Sequence, residues 1–244
     1  MIKKVTDFND LSGVSSPLLP LIYADFEFTN TETDGAYIQT DEKNEIAAIF
    51  SLKNGCATLV KLSGIIDVEE LEGFFTFLSV GSCLSDSSVF HNKEKILPLL
   101  QKNIRQKARS DSFVLDEHSR FSQYKDVYDL LNENGDNFLQ WFTVTGKKVS
   151  NKKALAIYKC ENRTPISVAF ATAIYKGKAI ISGVSTVESY RKRGYASKCV
   201  RELSDELGGR GISSVYLWCE EHNLPFYEKI GFFDIGNVFI REDF

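Results

Sequence analysis

Residues 184–197 read VSTVESYRKRGYAS. An apolar run, IISGVSTV (180–187), leads into three consecutive cations, a glycine and small residues, and a helical pattern follows. A strand that enters a helix through such a turn leaves several backbone N–H groups without acceptors, all aimed along the positive end of the helix dipole. That makes an anion site, and a phosphate suits it. Gly194 has no Cβ to hold a ligand away from the backbone, and Ala196 keeps the next turn slim. Arg191, Lys192 and Arg193 add positive charge at the rim. Taken alone, the stretch reads either as a solvated helix start or as a seat for a pyrophosphate on the amides of residues 192–197. Neither a GxxxxGK(S/T) loop nor a GxGxxG turn after a strand occurs, so the common ATP and dinucleotide cradles lose support.

Outward from this turn, the C-terminal half reads clearly. Ala196, Cys199, Val200, Leu203 and Leu207 fall on one helical stripe, and Gly208-Gly209 are expected to stop the helix. ALAIYK (154–159), ISVAFATAIY (166–175), AIISGVSTV (179–187) and SVYLWCE (214–220) read as strands. The third is almost wholly apolar, as expected of a strand covered on both faces. FSQYKDVYDLL (121–131) spaces Tyr124, Val127, Tyr128 and Leu131 as a helix. NLPFYEKIG (223–231) reads as a short helix with Pro225 in its first turn, and Phe226 is expected in the core. FFDIGNVFIRE (232–242) closes with strand character.

The N-terminal half repeats part of this order. Residues 36–66 give strand, polar turn, strand, Asn-Gly turn, strand, and DVEELEGFFTFLS (67–79) follows as a helix. Two copies of one strand-meander-plus-helix unit would explain the pattern, as would two unrelated α/β units. HNKEKILPLLQKNIRQKARSDS (91–112) reads as helical, then basic and polar, which places a domain boundary near 112. The expected domains are 1–112 and 113–244.

Composition narrows the partners. The 244 residues carry 29 basic and 33 acidic side chains, a net charge of −4, which argues against a nucleic acid or a membrane surface as partner. Five cysteines, an odd number with no CxxC pair, suggest buried free thiols in a reducing compartment. His91, His118 and His222 are scattered, so no metal site is expected. The N-terminus lacks the apolar core of a signal peptide, and no run approaches the ~20 apolar residues of a membrane helix. A cytoplasmic location is expected, and a homodimer is compatible with all of this. DEHSR (116–120) pairs an Asp with a His, but no GxSxG turn supplies a nucleophile for a hydrolase.

Two segments in the C-terminal half carry a family resemblance. Arg191-Lys192-Arg193-Gly194-Tyr195-Ala196 fits the Q/R-x-x-G-x-G/A acyl-CoA loop of the GNAT superfamily of N-acyltransferases. Asn223 followed by Tyr227-Glu228-Lys229-Ile230-Gly231-Phe232 resembles that superfamily's Asn…Tyr-Glu-Lys-Leu-Gly-Phe segment. The match spans roughly residues 120–244 and agrees with the order of elements read above. The resemblance implies a mixed, mostly antiparallel central sheet flanked by helices, an α/β (α+β) fold whose N-terminal lobe would be a degenerate copy. It implies a V-shaped gap between strands 179–187 and 214–220, with the CoA arm along Val184 to Thr186. The pyrophosphate would lie on Arg191, Lys192, Arg193, Gly194, Ala196 and Ser197, and Asn223 would touch the arm from the far wall.

The activity so implied is transfer of an acetyl group from acetyl-CoA, as co-substrate, to the primary amine of a small molecule or amino acid. The alternative is a non-catalytic acyl-CoA-binding regulatory module. In the family a backbone N–H of the parted strand polarises the carbonyl, here near Thr186, and Tyr227 matches the tyrosine that protonates the CoA sulfur. Glu188 is a candidate base, with Glu220, Glu221 and His222 as rivals; an amine already partly neutral would need none. The sequence departs from the pattern at Glu188, where the family often has proline, and in SGIIDVEELEGFF, which lacks the loop in the N-terminal half.

Overall fold

Apolar runs broken by Gly- and Asn-containing turns fold this chain into twelve strands and six α-helices among its described residues. The computed structural model describes residues 1–11, 13–29, 31–91, 94–104, 112–131 and 137–244. In chain order the elements are β1 (Ile2–Lys4), α1 (Leu19–Glu27), β2 (Gly35–Thr40), β3 (Ile46–Lys53), β4 (Cys56–Lys61), α2 (Val68–Phe77), β5 (Ser82–Ser85) and β6 (Glu94–Asn103). They continue with β7 (Phe113–Leu115), α3 (Phe121–Leu131), α4 (Phe138–Ser150), β8 (Leu155–Glu161), β9 (Thr164–Tyr175), β10 (Lys178–Thr186), α5 (Tyr195–Gly209), β11 (Ser214–Trp218), α6 (Leu224–Glu228) and β12 (Phe233–Glu242).

Two compact units result, and they interleave along the chain. One comprises Met1–Leu99, Trp218–Glu221 and Ile235–Phe244; the other comprises Leu100–Leu217 and His222–Asp234. A single cut near 112 does not describe them, because β6 and β12 each give residues to both.

In the first unit the strand order is β1-β2-β3-β4-β5-β12. Only β4 and β5 run parallel; the other neighbours are antiparallel. Tyr37, Phe50, Leu59, Leu71 and Phe75 form its core beneath α2. The Tyr37 and Phe50 rings stack at 5.4 Å from neighbouring strands. On β3, Ser51 donates to Asp25 of α1 at 2.7 Å, so helices cover both faces and the strands read as nearly continuous apolar runs.

In the second unit the order is β11-β10-β9-β8-β7, antiparallel except between β10 and β11. The two-residue side-chain period of β8 and β9 divides their residues between two helical layers. Ala156, Tyr158, Val168 and Phe170 pack with Tyr124, Val127 and Leu130 of α3. Lys159 instead reaches Glu202 of α5 at 3.0 Å, and Ser167 accepts from the Cys199 thiol of α5 at 3.6 Å. The stripe expected on α5 is buried at Cys199, Val200, Leu203 and Leu207.

Several expectations need correction. Within 91–112, residues 94–103 form strand β6, not a helix; Pro98 lies in the middle of the segment, where a helix would lose a backbone bond. Residues 105–111 of that stretch lie outside the described residues. Gly208 and Gly209 stand inside α5, and the left-handed residue beyond its end is Gly211 at φ +86. The five cysteines are free, but only Cys83, Cys199 and Cys219 are buried; Cys160 is half-buried and Cys56 exposed. Helix α4 has no counterpart in the sequence reading. Among the described residues no helix is long and apolar enough to cross a membrane.

Candidate functional site

Strand β10 outruns its parallel partner. Its pairing with β11 covers Lys178–Ile180 against Ser214–Tyr216, while its pairing with β9 continues to Thr186. Register shifts between Ile180 and Ile181 and between Ile181 and Gly183 mark where it bends. The two strands therefore part, and α5 starts just beyond the open end.

The turn into α5 leaves a row of backbone amides open. Gly194 is the N-cap, in a left-handed conformation at φ +85 and ψ 0, with no side chain capping the helix. Among the described residues beyond its chain neighbours, nothing lies within 4 Å of where a Cβ would stand. Lys192 is also left-handed, at φ +60, a conformation uncommon for a non-glycine residue. Left-handed residues within a turn point successive N–H groups into one concavity. The first hydrogen bond of the helix runs from Lys198 N–H to the Gly194 carbonyl at 3.0 Å. The amides of residues 192–197 have no hydrogen-bond partner among the described residues.

A cleft of about 400 Å³ faces these amides. Arg191, Lys192, Gly194, Ala196 and Ser197 line it on the helix side, and Thr186 at the end of β10. Phe226 forms part of the lining, so it is a wall of the cleft and not a core residue; its ring is only half-buried. Tyr190 and Tyr195 complete the lining, and their roles were not legible in the motif. Arg191 is tied back to the strand by its Nε–H, which donates to the Thr186 carbonyl at 3.1 Å. The Thr186 hydroxyl is 2.8 Å from that of Ser167.

Arg193 is placed differently from its neighbours. Its guanidinium lies 5.4 Å from the centre of the Tyr190 ring, and it is not part of the cleft lining. The Glu161 carboxylate at the end of β8, as acceptor and as charge, raises the pKa of the Tyr190 hydroxyl. Arg193 at the ring and Glu161 at the hydroxyl thus flank Tyr190.

The other candidates lie outside the lining. Val184 borders a second hollow along the same strand, about 420 Å³ in volume. Tyr227 is half-buried, edge-on to Phe226 at 4.8 Å and to Phe232 at 5.8 Å. Glu188 is exposed and opens a short 3-10 turn, its carbonyl accepting from Arg191 N–H at 3.1 Å. Glu220 pairs with Lys95 at 2.5 Å. Glu221, His222 and Asn223 are exposed on a second 3-10 turn. No carboxylate or imidazole is among the described residues lining the cleft. Among the described residues no group of His, Cys, Asp and Glu could hold a metal ion.

The first unit contains the same succession of three antiparallel strands, a helix and a parallel strand, in β2-β3-β4-α2-β5. Its chemistry at the corresponding turn is opposite. Asp67 caps α2 by accepting the Glu70 N–H at 2.9 Å, and Glu69 and Glu70 add negative charge. Strands β4 and β5 stay paired from Cys56 to Leu59. Past that point Asp86 fills the gap, accepting from Lys61 N–H at 3.1 Å and donating its own N–H to the Leu59 carbonyl at 3.3 Å.

Residues 114–232 match the model of the acetyltransferase (GNAT) family. That segment is a GNAT acetyltransferase domain, and the chain that carries it is an enzyme of the N-acetyltransferase class, whose chemistry is acyl transfer from an acyl-CoA. Solved structures share the fold. A GCN5-related N-acetyltransferase from Sphaerobacter thermophilus aligns with a TM-score of 0.62 at 12% identity, over 99% of this chain and 95% of its own. A GCN5-related N-acetyltransferase from Kribbella flavida gives 0.59 at 13%, over 81% and 86%. A GNAT-family acetyltransferase from Colwellia psychrerythraea gives 0.55 at 12%, over the whole of both chains. No curated protein matches this sequence.

Proposed function

We propose that this enzyme transfers an acetyl group from acetyl-CoA to the primary amine of a small molecule or amino acid. The supporting observation is the row of unpartnered amides at residues 192–197, facing an open cleft beside two parted strands. A diphosphate fits that row by charge and by hydrogen bonding, with Arg191 and Lys192 at its edge. The CoA arm is assigned to the gap between β10 and β11, along Val184 to Thr186.

In the transfer, the amine nitrogen bonds to the acyl carbon while the carbon–sulfur bond breaks. The amine loses one proton and the leaving thiolate gains one. The backbone N–H near Thr186 is assigned to the carbonyl oxygen, a kind of donor worth about 3 kcal/mol of barrier. Tyr227 is assigned as the acid for the thiolate. No base is assigned: the described residues lining the cleft include no carboxylate or imidazole. We further read the first unit as a copy of the second that has lost its loop: Asp67 and Asp86 occupy the amides that a ligand would need.

Calorimetry with acetyl-CoA tests the loop. Gly194→Trp should abolish measurable binding, and Lys192→Glu, an exposed substitution, should weaken it roughly tenfold. Wild-type affinity in both variants would remove the assignment. Tyr227→Phe should keep acetyl-CoA affinity and lose most of the turnover measured by thiol release.

A further inference from the structure

Thr186, the last residue of β10, stands opposite Ser167 of β9. One step further along, Val187 N–H donates to the Ile166 carbonyl at 2.9 Å. Hydrogen-bonded and non-hydrogen-bonded pairs alternate along an antiparallel ladder. Val187 and Ile166 are a bonded pair, so Thr186 and Ser167 are a non-bonded one. The 2.8 Å between their hydroxyls fits the closer side chains of such a pair. The backbone N–H and C=O of Thr186 therefore turn away from β9. They aim to the side on which β10 pairs with β11 only as far as Ile180. That is the gap to which the CoA arm is assigned.

Both peptides that flank Thr186 are held. The one before it carries the Thr186 N–H, and its Ser185 carbonyl accepts from Ser167 Oγ at 3.1 Å. The one after it is gripped at both ends: Val187 N–H is on Ile166, and the Thr186 carbonyl accepts from Arg191 Nε at 3.1 Å. Ser167 is fully buried, whereas Arg191 is exposed and lines the cleft. A guanidinium presents its N–H donors in one plane. With Nε–H on the strand, the two Nη groups of Arg191 are the ones left to meet a phosphate in the cleft.

Resting on the acetyl-transfer reading above, we propose that Arg191 is a positioning residue for the reaction as well as a charge at the rim. Its Nε–H fixes the Thr186 carbonyl and so keeps the Thr186 N–H aimed at the thioester carbonyl. A misplacement of about 1 Å at a reacting centre can cost on the order of a hundredfold in rate. One planar group thereby joins the phosphate seat to the amide that works on the carbonyl.

Glutamine is the discriminating substitution. Its Nε2 stands as many bonds from Cα as the arginine Nε. Arg191→Gln therefore keeps a donor for the Thr186 carbonyl and loses the charge, while Arg191→Met, of similar length, loses both. Calorimetry on the full chain should show acetyl-CoA weakened alike in the two variants, by roughly tenfold. Infrared difference spectra are then taken at saturating acetyl-CoA, isotope-labelled at the thioester carbonyl. In wild type the hydrogen bond from Thr186 should lower the carbonyl stretch relative to free acetyl-CoA. The lowered band should persist in Arg191→Gln and return most of the way to the free position in Arg191→Met. Any result in which Arg191→Gln does not keep a lower band than Arg191→Met would overturn the proposal, since charge would then be all that Arg191 supplies. A wild-type band at the free position would overturn it too, with acetyl-CoA binding left standing. Failure of wild type to bind acetyl-CoA at all is a different outcome: it removes the acetyl-transfer reading, and this proposal with it.

Discussion

Lys192 and Gly194 show how single residues set the chemistry of the turn. Both are left-handed, and a glycine takes that backbone freely whereas a lysine pays of order 1 kcal/mol. Strain of that kind persists where the surroundings fix the loop, here through Arg191 on the Thr186 carbonyl. The cysteines illustrate the same scale from the side of reactivity. Burial pushes the Cys199 thiol up to about 11 and the Cys83 thiol higher still; burial and then Asp126 raise Cys160. The thiolate is the reactive form, so these should be inert. In native protein a thiol-specific disulfide reagent should react rapidly with one group, Cys56, and Cys56→Ser should remove that phase. Cys83, Cys199 and Cys219 should respond only on unfolding; fast modification of any of them would contradict the burial described.

Among the elements, α5 carries a prediction whose sign opposes the usual rule. Glycine to alanine inside a helix ordinarily stabilises by about 0.5–1 kcal/mol. At Gly208 an added Cβ would stand 2.4 Å from Ile104 Cγ2, a branch methyl with little freedom to move. Gly208→Ala should therefore destabilise, by roughly 1–3 kcal/mol in urea unfolding. Pairing it with Ile104→Ala should cost less than the two single losses combined, since the second change removes the clash; strict additivity would rule this packing out. The same glycine explains why the helix end was misread. From sequence, two glycines signal a stop, but Gly208 is small because Ile104 is close, a contact no local pattern reveals. Strand β6 was misread for a related reason. Ile96, Leu97, Leu99 and Leu100 match a helical spacing, whereas their burial reflects a strand with Leu97, Leu99 and Leu100 inside and Ile96 exposed.

On the scale of the whole molecule, alkaline stability should depend on Tyr158. Burial first, and then the Asp126 carboxylate, push its phenol from an ordinary value of 10.0 up to about 12. The folded chain holds this proton more tightly than the unfolded one. The contribution is therefore complete below pH 10 and lost as pH rises toward 12. Thermal unfolding followed from pH 9 to 12 should steepen its decline in that window, and Tyr158→Phe should flatten it; parallel curves for the two proteins would refute the linkage. Much of the second unit was legible beforehand, because its strands and α5 follow local periods and its turn announces itself in residues 190–197. The paired roles of Tyr190 and Phe226 were not, since they depend on elements distant in sequence meeting at one cleft. The boundary was illegible for the same reason, as contacts and not composition decide which segments cluster.

That interleaving bears on synthesis. Strand β12 supplies the partner of β5, pairing Phe239 with Ser85 and Glu242 with Ser82, and Phe244 packs edge-on to Phe75 and Phe90. Nascent chains usually acquire structure from the amino end as they emerge from the ribosome. Here the unit that begins at Met1 cannot close its sheet until residues 235–244 have been translated. It must wait, with one β5 margin bare, while the catalytic unit is already nearly whole.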